Sequence, residues 1–445
     1  MPSDPESLFD PIFSTDEVLA ATGPNAWLQA MLDVEAALAG VEAEMGLVPT
    51  DAAATIVGCC RAERFEPGDL GRAARHGGNP VIPLVEALRA AVPEPAAQWV
   101  HRGATSQDVL DSAAMLVTRR SIELIDRELD DLAAACAELA EGHRHTVMAG
   151  RTLLQQALPV TFGVKAAGWL VGIVEARTRL GDAVPRLAVQ LGGAAGTLAA
   201  FGSDGPEVVR RLSARLGLAE PPMPWHTNRV RVAEVASALG MVVGAAAKVA
   251  LDVGLLMQTE VAEAAEPRPG GSSTLPHKRN PVGAATVGAA ARRVPALVAV
   301  VLGAMVQEHE RALGGWQAEW QTMTELLRLA GGVAARVRET VAGLELDVAR
   351  MGDNLAATAG VIMSERVVLA LEPCLGRPEA TRLVQEAAGR TAASGRSLGE
   401  ELAHDPGVAR ALSKQEIEAL VDPAGYLGAS DALVERALQT YRGDG

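Results

Sequence analysis

Proline placement constrains this chain more than any other feature. Twenty-five prolines are spread over 445 residues, yet none falls between Pro95 and Pro159, Pro224 and Pro267, or Pro295 and Pro373. A proline inside a helix removes a hydrogen bond and clashes with the preceding turn, so the proline-free stretches are where very long helices can run. At helical rise, ~40 residues reach ~60 Å. The middle stretch carries the matching period. Val232, Val235, Leu239, Val242, Ala246, Val249, Val253 and Leu256 step alternately by three and four, a seam for packing along the whole helix. Its next two steps fall on Glu260 and Glu263. Carboxylates on a packing seam are costly unless paired, so the seam should open there onto something polar.

Around this centre the pattern shortens. Residues 1–108 are broken by Pro49, Pro67, Pro80, Pro83, Pro93 and Pro95, and residues from about 353 by Gly376, Pro378, Gly395, Pro406 and Pro423. Ala, Leu and Val abound, while Phe and Tyr number five and two, which favours helix and argues against a large sheet. The expected fold is all-α in three domains. These are an N-terminal helical domain over 1–108, a central bundle of long helices over 109–352, and a C-terminal helical domain over 353–445.

Several function classes are disfavoured. The formal charge is −15, which repels nucleic acid and anionic membrane surfaces. Cys59, Cys60, Cys136 and Cys374 form neither a metal knuckle nor a disulfide framework, and free thiols suit a reducing cytosol. The opening MPSDPESLFD is acidic and lacks the apolar core of a leader, and the run 294–306 is too short to span a bilayer. His143 and His145 lack a third ligand nearby, and no strand precedes the cluster Gly192, Gly193 and Gly196. Neither a metal nor a nucleotide cofactor is expected, and the chain reads as soluble and cytoplasmic.

Several segments of this acidic chain carry no Asp or Glu, and three of them hold clustered cations. Residues 142–174 hold Arg144, Arg151 and Lys165; residues 221–233 hold His226, Arg229 and Arg231; residues 267–307 hold Arg268, His277, Lys278, Arg279, Arg292 and Arg293. Brought together, such cations would focus a small anion into a cleft. The plainer alternative is that they pair with acids on neighbouring helices.

The most specific string is 266–281, Glu-Pro-Arg-Pro-Gly-Gly-Ser-Ser-Thr-Leu-Pro-His-Lys-Arg-Asn-Pro. Pro267 and Pro269 stop the long helix, and Gly270 and Gly271 permit a mobile loop. A hydroxyl, an ammonium and an amide together suit chemistry beside a carboxylate. Lys278 and Asn280 can hold the oxygens while Ser272, or its neighbour Ser273, moves a proton at the adjacent carbon.

That string resembles the G-S-S-x-M-P-x-K-x-N-P signature of the fumarase/aspartase superfamily, with Leu275 in place of the usual Met. The stretch from His101 to Asp108, His-Arg-Gly-Ala-Thr-Ser-Gln-Asp, resembles the superfamily's first region, and that from Gly150 to Gln155, Gly-Arg-Thr-Leu-Leu-Gln, its second. The resemblance implies a homotetramer built on a shared helical bundle, each site gathering its three regions from three chains. It implies a small polycarboxylate substrate, with Ser272 as the proton-transfer residue and Ser273 its competitor. Thr105, Ser106, Lys278 and Asn280 would bind carboxylate, with Gln155, His101, His226 and Arg229 as further substrate contacts. Helix capping remains open for Thr105 and Ser106, and structural partners for Gln155, His101, His226 and Arg229.

Within the superfamily one departure stands out. The lyases place His directly after Arg-Thr in the second region, where it assists the leaving group; here the residue is Leu153. A cycloisomerase needs no such group, because nucleophile and leaving group are one tethered carboxylate. The strings "LGGAAGTLAAFG", "PWHTNRVR", "ERALGGWQAEW" and "DPAGYLG" are similar to those of bacterial 3-carboxy-cis,cis-muconate cycloisomerases. The expectation is therefore lactonisation of that substrate through an aci-carboxylate intermediate, in the protocatechuate branch of aromatic catabolism. The alternatives are an adenylosuccinate lyase or another β-eliminating lyase, and a non-catalytic structural protein on the same scaffold.

Overall fold

The computed structural model describes residues 8–443, so most of the acidic opening segment lies outside the described residues. Each proline-free stretch contains one very long helix, as its spacing predicts: Ser106–Gly142, Val230–Leu256 and Gly315–Ala342. Two further long helices are Phe162–Ala183 and Val282–Gly303. The second runs through Pro295, where the sequence suggested a boundary. Val287, Val294 and Val301, seven apart, are all buried, and this packed stripe carries the helix past the lost hydrogen bond.

The seam from Val232 to Leu256 is buried at every position. The helix stops at Leu256, so Glu260 and Glu263 are not on it. Glu260 is exposed, while Glu263 is fully buried and finds the partner such burial demands in Arg151, at 2.7 Å.

The all-α expectation holds, with two small antiparallel pairs that it did not include. Val147–Thr152 pairs with Gln155–Thr161, and Ala264–Ala265 pairs with Glu345–Leu346. The first is a hairpin with Thr152 opposite Gln155 and a bulge at Gly150. A Cβ on Gly150 would lie 2.8 Å from the Leu158 carbonyl oxygen, which explains glycine there.

The chain falls into two compact units. One comprises the described part of Met1–Asp130 with Glu175–Ala247 and Ala285–Arg338; the other comprises Asp131–Val174, Lys248–Ala284 and Glu339–Gly445 as far as described. Leu28, Leu32, Leu84, Leu88 and Trp225 anchor the core of the first. Met148 and Phe162 are fully buried in the second, where Val367, Leu371, Leu383, Val384 and Leu398 form a further cluster.

Two helices correct the expectation that no segment could span a bilayer. By length and composition Val230–Leu256 and Val282–Gly303 are apolar enough, with mean hydropathy 1.8 and 1.5 over their best windows. Small residues break these helices into short apolar runs in sequence, which hid their summed hydropathy. Only 44% and 22% of those windows are buried, so a single chain leaves much of their apolar surface uncovered.

Candidate active site

In the first unit, the site candidates gather where the helix Ser106–Gly142 begins. Asp108, 1% exposed, is the hub. Its carboxylate accepts from the Thr105 backbone N–H at 3.0 Å and from Gly192 and Gly193 N–H at 3.0 and 2.9 Å. It also meets His226 Nε2 at 2.7 Å. The bond to Thr105 N–H is one half of a capping box; among the described residues the Thr105 hydroxyl makes no reciprocal bond to the helix. The half-buried hydroxyls of Thr105 and Ser106 have no hydrogen-bond partner among the described residues. The Gly-Gly turn can approach closely because it lacks side chains: a Cβ on Gly192 would stand 2.8 Å from the His226 ring.

One turn further on, Asp111 receives two bonds from Arg229, at 2.7 and 3.0 Å, and one from Trp316 Nε1 at 3.0 Å. Arg229 Nε reaches Glu319 at 2.9 Å. All three charged groups are buried. Burial works against the Arg229 charge, but Asp111 and Glu319 raise its pKa above the ordinary range. Burial in turn raises Glu319, against the pull of Arg229. His226 and Arg229 are therefore bound up with buried carboxylates in this unit, the structural partnership that the sequence left open.

His101 also has a partner. Its backbone takes φ 62°, and its Nδ1 lies 2.6 Å from Glu35 Oε1. Burial lowers the His101 pKa, but the bond and charge of Glu35, with a contribution from Asp108, raise it above the ordinary histidine value. Arg102 reaches Glu42 at 3.1 Å; burial pushes the Glu42 carboxyl up to about 7 even so. Sequence reasoning missed Arg311, which donates to the Gln107 side chain at 3.2 Å and to the Ala194 carbonyl at 3.0 Å.

The second unit holds the other candidates. Arg151 forks onto Glu263 at 2.7 and 2.8 Å, and Asn354 donates to the same carboxylate at 2.8 Å. This pairing anchors the hairpin, whose two-residue tip is Leu153 and Leu154, 98% and 73% exposed. Both have positive φ, 49° and 64°, as a type I′ turn requires and leucine disfavours. Gln155 is exposed beside them.

The loop 267–281 begins at buried Glu266, which accepts from Gly283 and Ala284 N–H at 3.0 and 2.8 Å and so caps the helix Val282–Gly303. Gly270 and Asn280 exchange backbone bonds of 2.9 and 2.8 Å and close the loop's neck. Within it Ser272 Oγ accepts from Leu275 N–H at 3.1 Å, and Asn280 Nδ2 donates to Gly271 O at 3.2 Å. Ser273 and Lys278 are exposed, while Ser272 and Asn280 are half-buried. Arg268 and Arg279 are paired with Glu339 and Glu345. Lys278 has no acidic partner among the described residues. Many of the cations noted in sequence are thus ion-paired.

Residues 13–296 match the lyase family, and residues 360–437 match the adenylosuccinate lyase C-terminus. The chain belongs to the fumarase/aspartase superfamily of lyases. In this superfamily it is similar to a 3-carboxy-cis,cis-muconate cycloisomerase of Bradyrhizobium diazoefficiens, 46% identical over 98% of both chains. It is 46% identical to a nitrosuccinate lyase of Streptomyces davaonensis over 97% of this chain and 94% of that one. A crystal structure of the 3-carboxy-cis,cis-muconate lactonizing enzyme of Pseudomonas putida superposes with TM-score 0.94 at 43% identity, covering 98% of this chain and 99% of that one. The three strings that carried the resemblance thus lie, in this fumarase/aspartase chain, at a helix start, a hairpin tip and a glycine-rich loop. Thr105, Ser106, His101, His226 and Arg229 belong to the first unit; Gln155, Ser272, Ser273, Lys278 and Asn280 belong to the second.

Proposed function

We propose that this chain is a 3-carboxy-cis,cis-muconate cycloisomerase acting in aromatic catabolism. The observation that carries the reading is Leu153, an exposed apolar residue where superfamily lyases place a histidine for the leaving group. A substrate carboxylate adds to the conjugated double bond, forming the ring C–O bond. The electron pair moves onto a second carboxylate as an aci-carboxylate, and Ser272 delivers a proton to the α-carbon. Lys278 and Asn280 stabilise the charge that develops, and Thr105 and Ser106 hold a carboxylate. The unpartnered hydroxyls and the unpaired ammonium support these roles.

A second reading has specific support. Elimination from a nitrosuccinate would release nitrite, which is stable as an anion and needs no proton to depart. Leu153 therefore argues against amine-releasing lyases such as adenylosuccinate lyase, but not against a nitrosuccinate lyase, and one such relative is 46% identical.

The deciding experiment follows the loss of diene absorbance of 3-carboxy-cis,cis-muconate, with nitrosuccinate and adenylosuccinate assayed in parallel. Rapid lactone formation from the muconate alone is the expected result. Nitrite release from nitrosuccinate with the muconate inert would establish the second reading, and cleavage of adenylosuccinate would overturn both.

We propose further that the chain is soluble and cytoplasmic and forms a homotetramer with shared sites, within the three domains 1–108, 109–352 and 353–445. Met241, Leu251, Val300 and Leu302 are 44–62% exposed on the two apolar helices, and copies of the chain would cover them. Light scattering after size exclusion without detergent should give four times the 46.2 kDa chain mass; a stable monomer would reject the assembly.

A further inference from the structure

The helix Pro24–Glu44 buries Leu28, Met31, Leu32, Leu38 and Val41. In the same buried set stand two carboxylates one heptad apart, Glu35 and Glu42, each 1% exposed at the side chain. Buried carboxylates are costly unless held. These two are answered by consecutive residues of one turn: His101 takes Glu35 and Arg102 takes Glu42. The turn holds His101 in the left-handed region at φ 62°, with Gly103, which adopts such a conformation freely, at φ 72°. Left-handed strain at a non-glycine residue persists only where its surroundings over-determine it. A Cβ on Gly103 would strike the Phe201 ring at 2.4 Å, so the turn is fixed from that side also.

We propose that Glu35 is a positioning residue for the reaction: it turns His101 so that Nδ1 is occupied and only Nε2 remains to meet a substrate carboxylate. This rests on the proposed function together with the resemblance to the superfamily's first region, which implies that His101 contacts substrate. The imidazole ring is 14% exposed, enough to reach a ligand along one edge. Glu35 acts through His101 and touches no substrate itself. The other charges around the ring are Asp108, Arg89, and the pair of Arg102 with Glu42. Of these Asp108 supports an imidazolium and Arg89 opposes it. Glu35, at 2.6 Å, dominates the supporting set, and a carboxylate in contact holds an imidazolium by about one to three pH units.

The test combines histidine NMR with pH-dependent kinetics. In the wild type the His101 ring resonance, assigned by its loss in His101→Gln, should titrate above the ordinary histidine value. In Glu35→Gln it should titrate about one unit lower or more. The alkaline limb of kcat/KM should move down with it, with KM rising and kcat largely kept, and Glu35→Asp should restore part of both. A wild-type ring that titrates at or below the ordinary value overturns the proposal without any variant. A ring that shifts in Glu35→Gln while KM and the kcat/KM profile stay fixed overturns the positioning role. If the muconate is inert with wild-type protein, the proposed function fails separately, and the NMR titration still decides the Glu35–His101 pair.

Discussion

Two regions that hold candidate residues, one in each unit, are built on opposite principles. Around the start of the helix Ser106–Gly142, Asp108 and Asp111 commit their oxygens to Thr105, Gln107, Gln190, Gly192, Gly193, His226, Arg229 and Trp316. Along 267–281 most side chains face solvent, and the loop is tied chiefly at the Gly270–Asn280 neck. A region whose hydrogen bonds are buried opens only at high cost, whereas an exposed loop opens cheaply. The difference assigns work. In the proposed function, the buried cluster holds the Thr105 and Ser106 hydroxyls for a carboxylate, and the loop is the part that closes to exclude water.

The largest effects should split cleanly along that line. Replacing Ser272 by Ala in the loop should lower kcat by about 10²–10⁴-fold, the usual worth of a positioned proton-transfer group. The thermal midpoint should hardly move, because the bonds lost among the described residues are those Ser272 Oγ accepts inside an exposed loop. Steady-state turnover beside a melting curve checks both. Unchanged turnover would move the role to Ser273 or remove it from the loop.

Asp111→Ala should do the reverse. It leaves Arg229 and Glu319 buried with one partner removed, so unfolding in urea should show a loss of about 3–5 kcal/mol. Turnover per folded molecule should fall far less than in Ser272→Ala. If Asp111→Ala lost activity and kept its stability, the cluster would belong to the chemistry and the contrast would collapse.

Lys278→Ala sharpens the loop side. An ammonium with no acidic partner among the described residues contributes nothing to folding that its loss would reveal. A charged hydrogen bond is worth about 1.5–3 kcal/mol, so kcat/KM should fall about 10- to 100-fold with the urea midpoint unchanged.

The buried side has its own pH signature through Glu42. Its folded-state pKa is pushed up to about 7 from 4.5, so between those values the folded protein keeps a proton that the unfolded chain releases. Stability from this group is therefore present at lower pH and falls as pH rises through the window, by at most about 1.4 kcal/mol per pH unit. Glu42→Gln should flatten that slope in urea unfolding measured from pH 4.5 to 7.5.

These contrasts also mark what could be read from sequence. The long helices followed from proline spacing, a local rule, and the seam from Val232 to Leu256 was found buried throughout. The loop 267–281 announced itself because its residues are contiguous. The partners of Asp108, Glu35, Glu263 and Arg311 did not, because they lie 66 to 204 residues away along the chain, and no periodicity encodes such a meeting. The hairpin was missed for a different reason: its turn uses two leucines, where the sequence signal for a type I′ turn is Asn-Gly.

That turn yields the smallest predicted effect. Leucine in the left-handed region costs roughly 1–2 kcal/mol relative to the residues that favour it, and Leu153 and Leu154 both occupy that region. Exchanging the pair for Asn-Gly keeps the turn geometry and relieves the strain. Within the chain nothing opposes the change, because both side chains are largely exposed. Urea unfolding of the double variant should therefore show a gain of about 1 kcal/mol, in line with compatible turn substitutions. The same variant removes the two apolar groups from the tip, so in the proposed shared-site tetramer the gain should be accompanied by a higher KM. A stabilised hairpin with unaltered kinetics would instead mean that the tip is strained for no catalytic purpose.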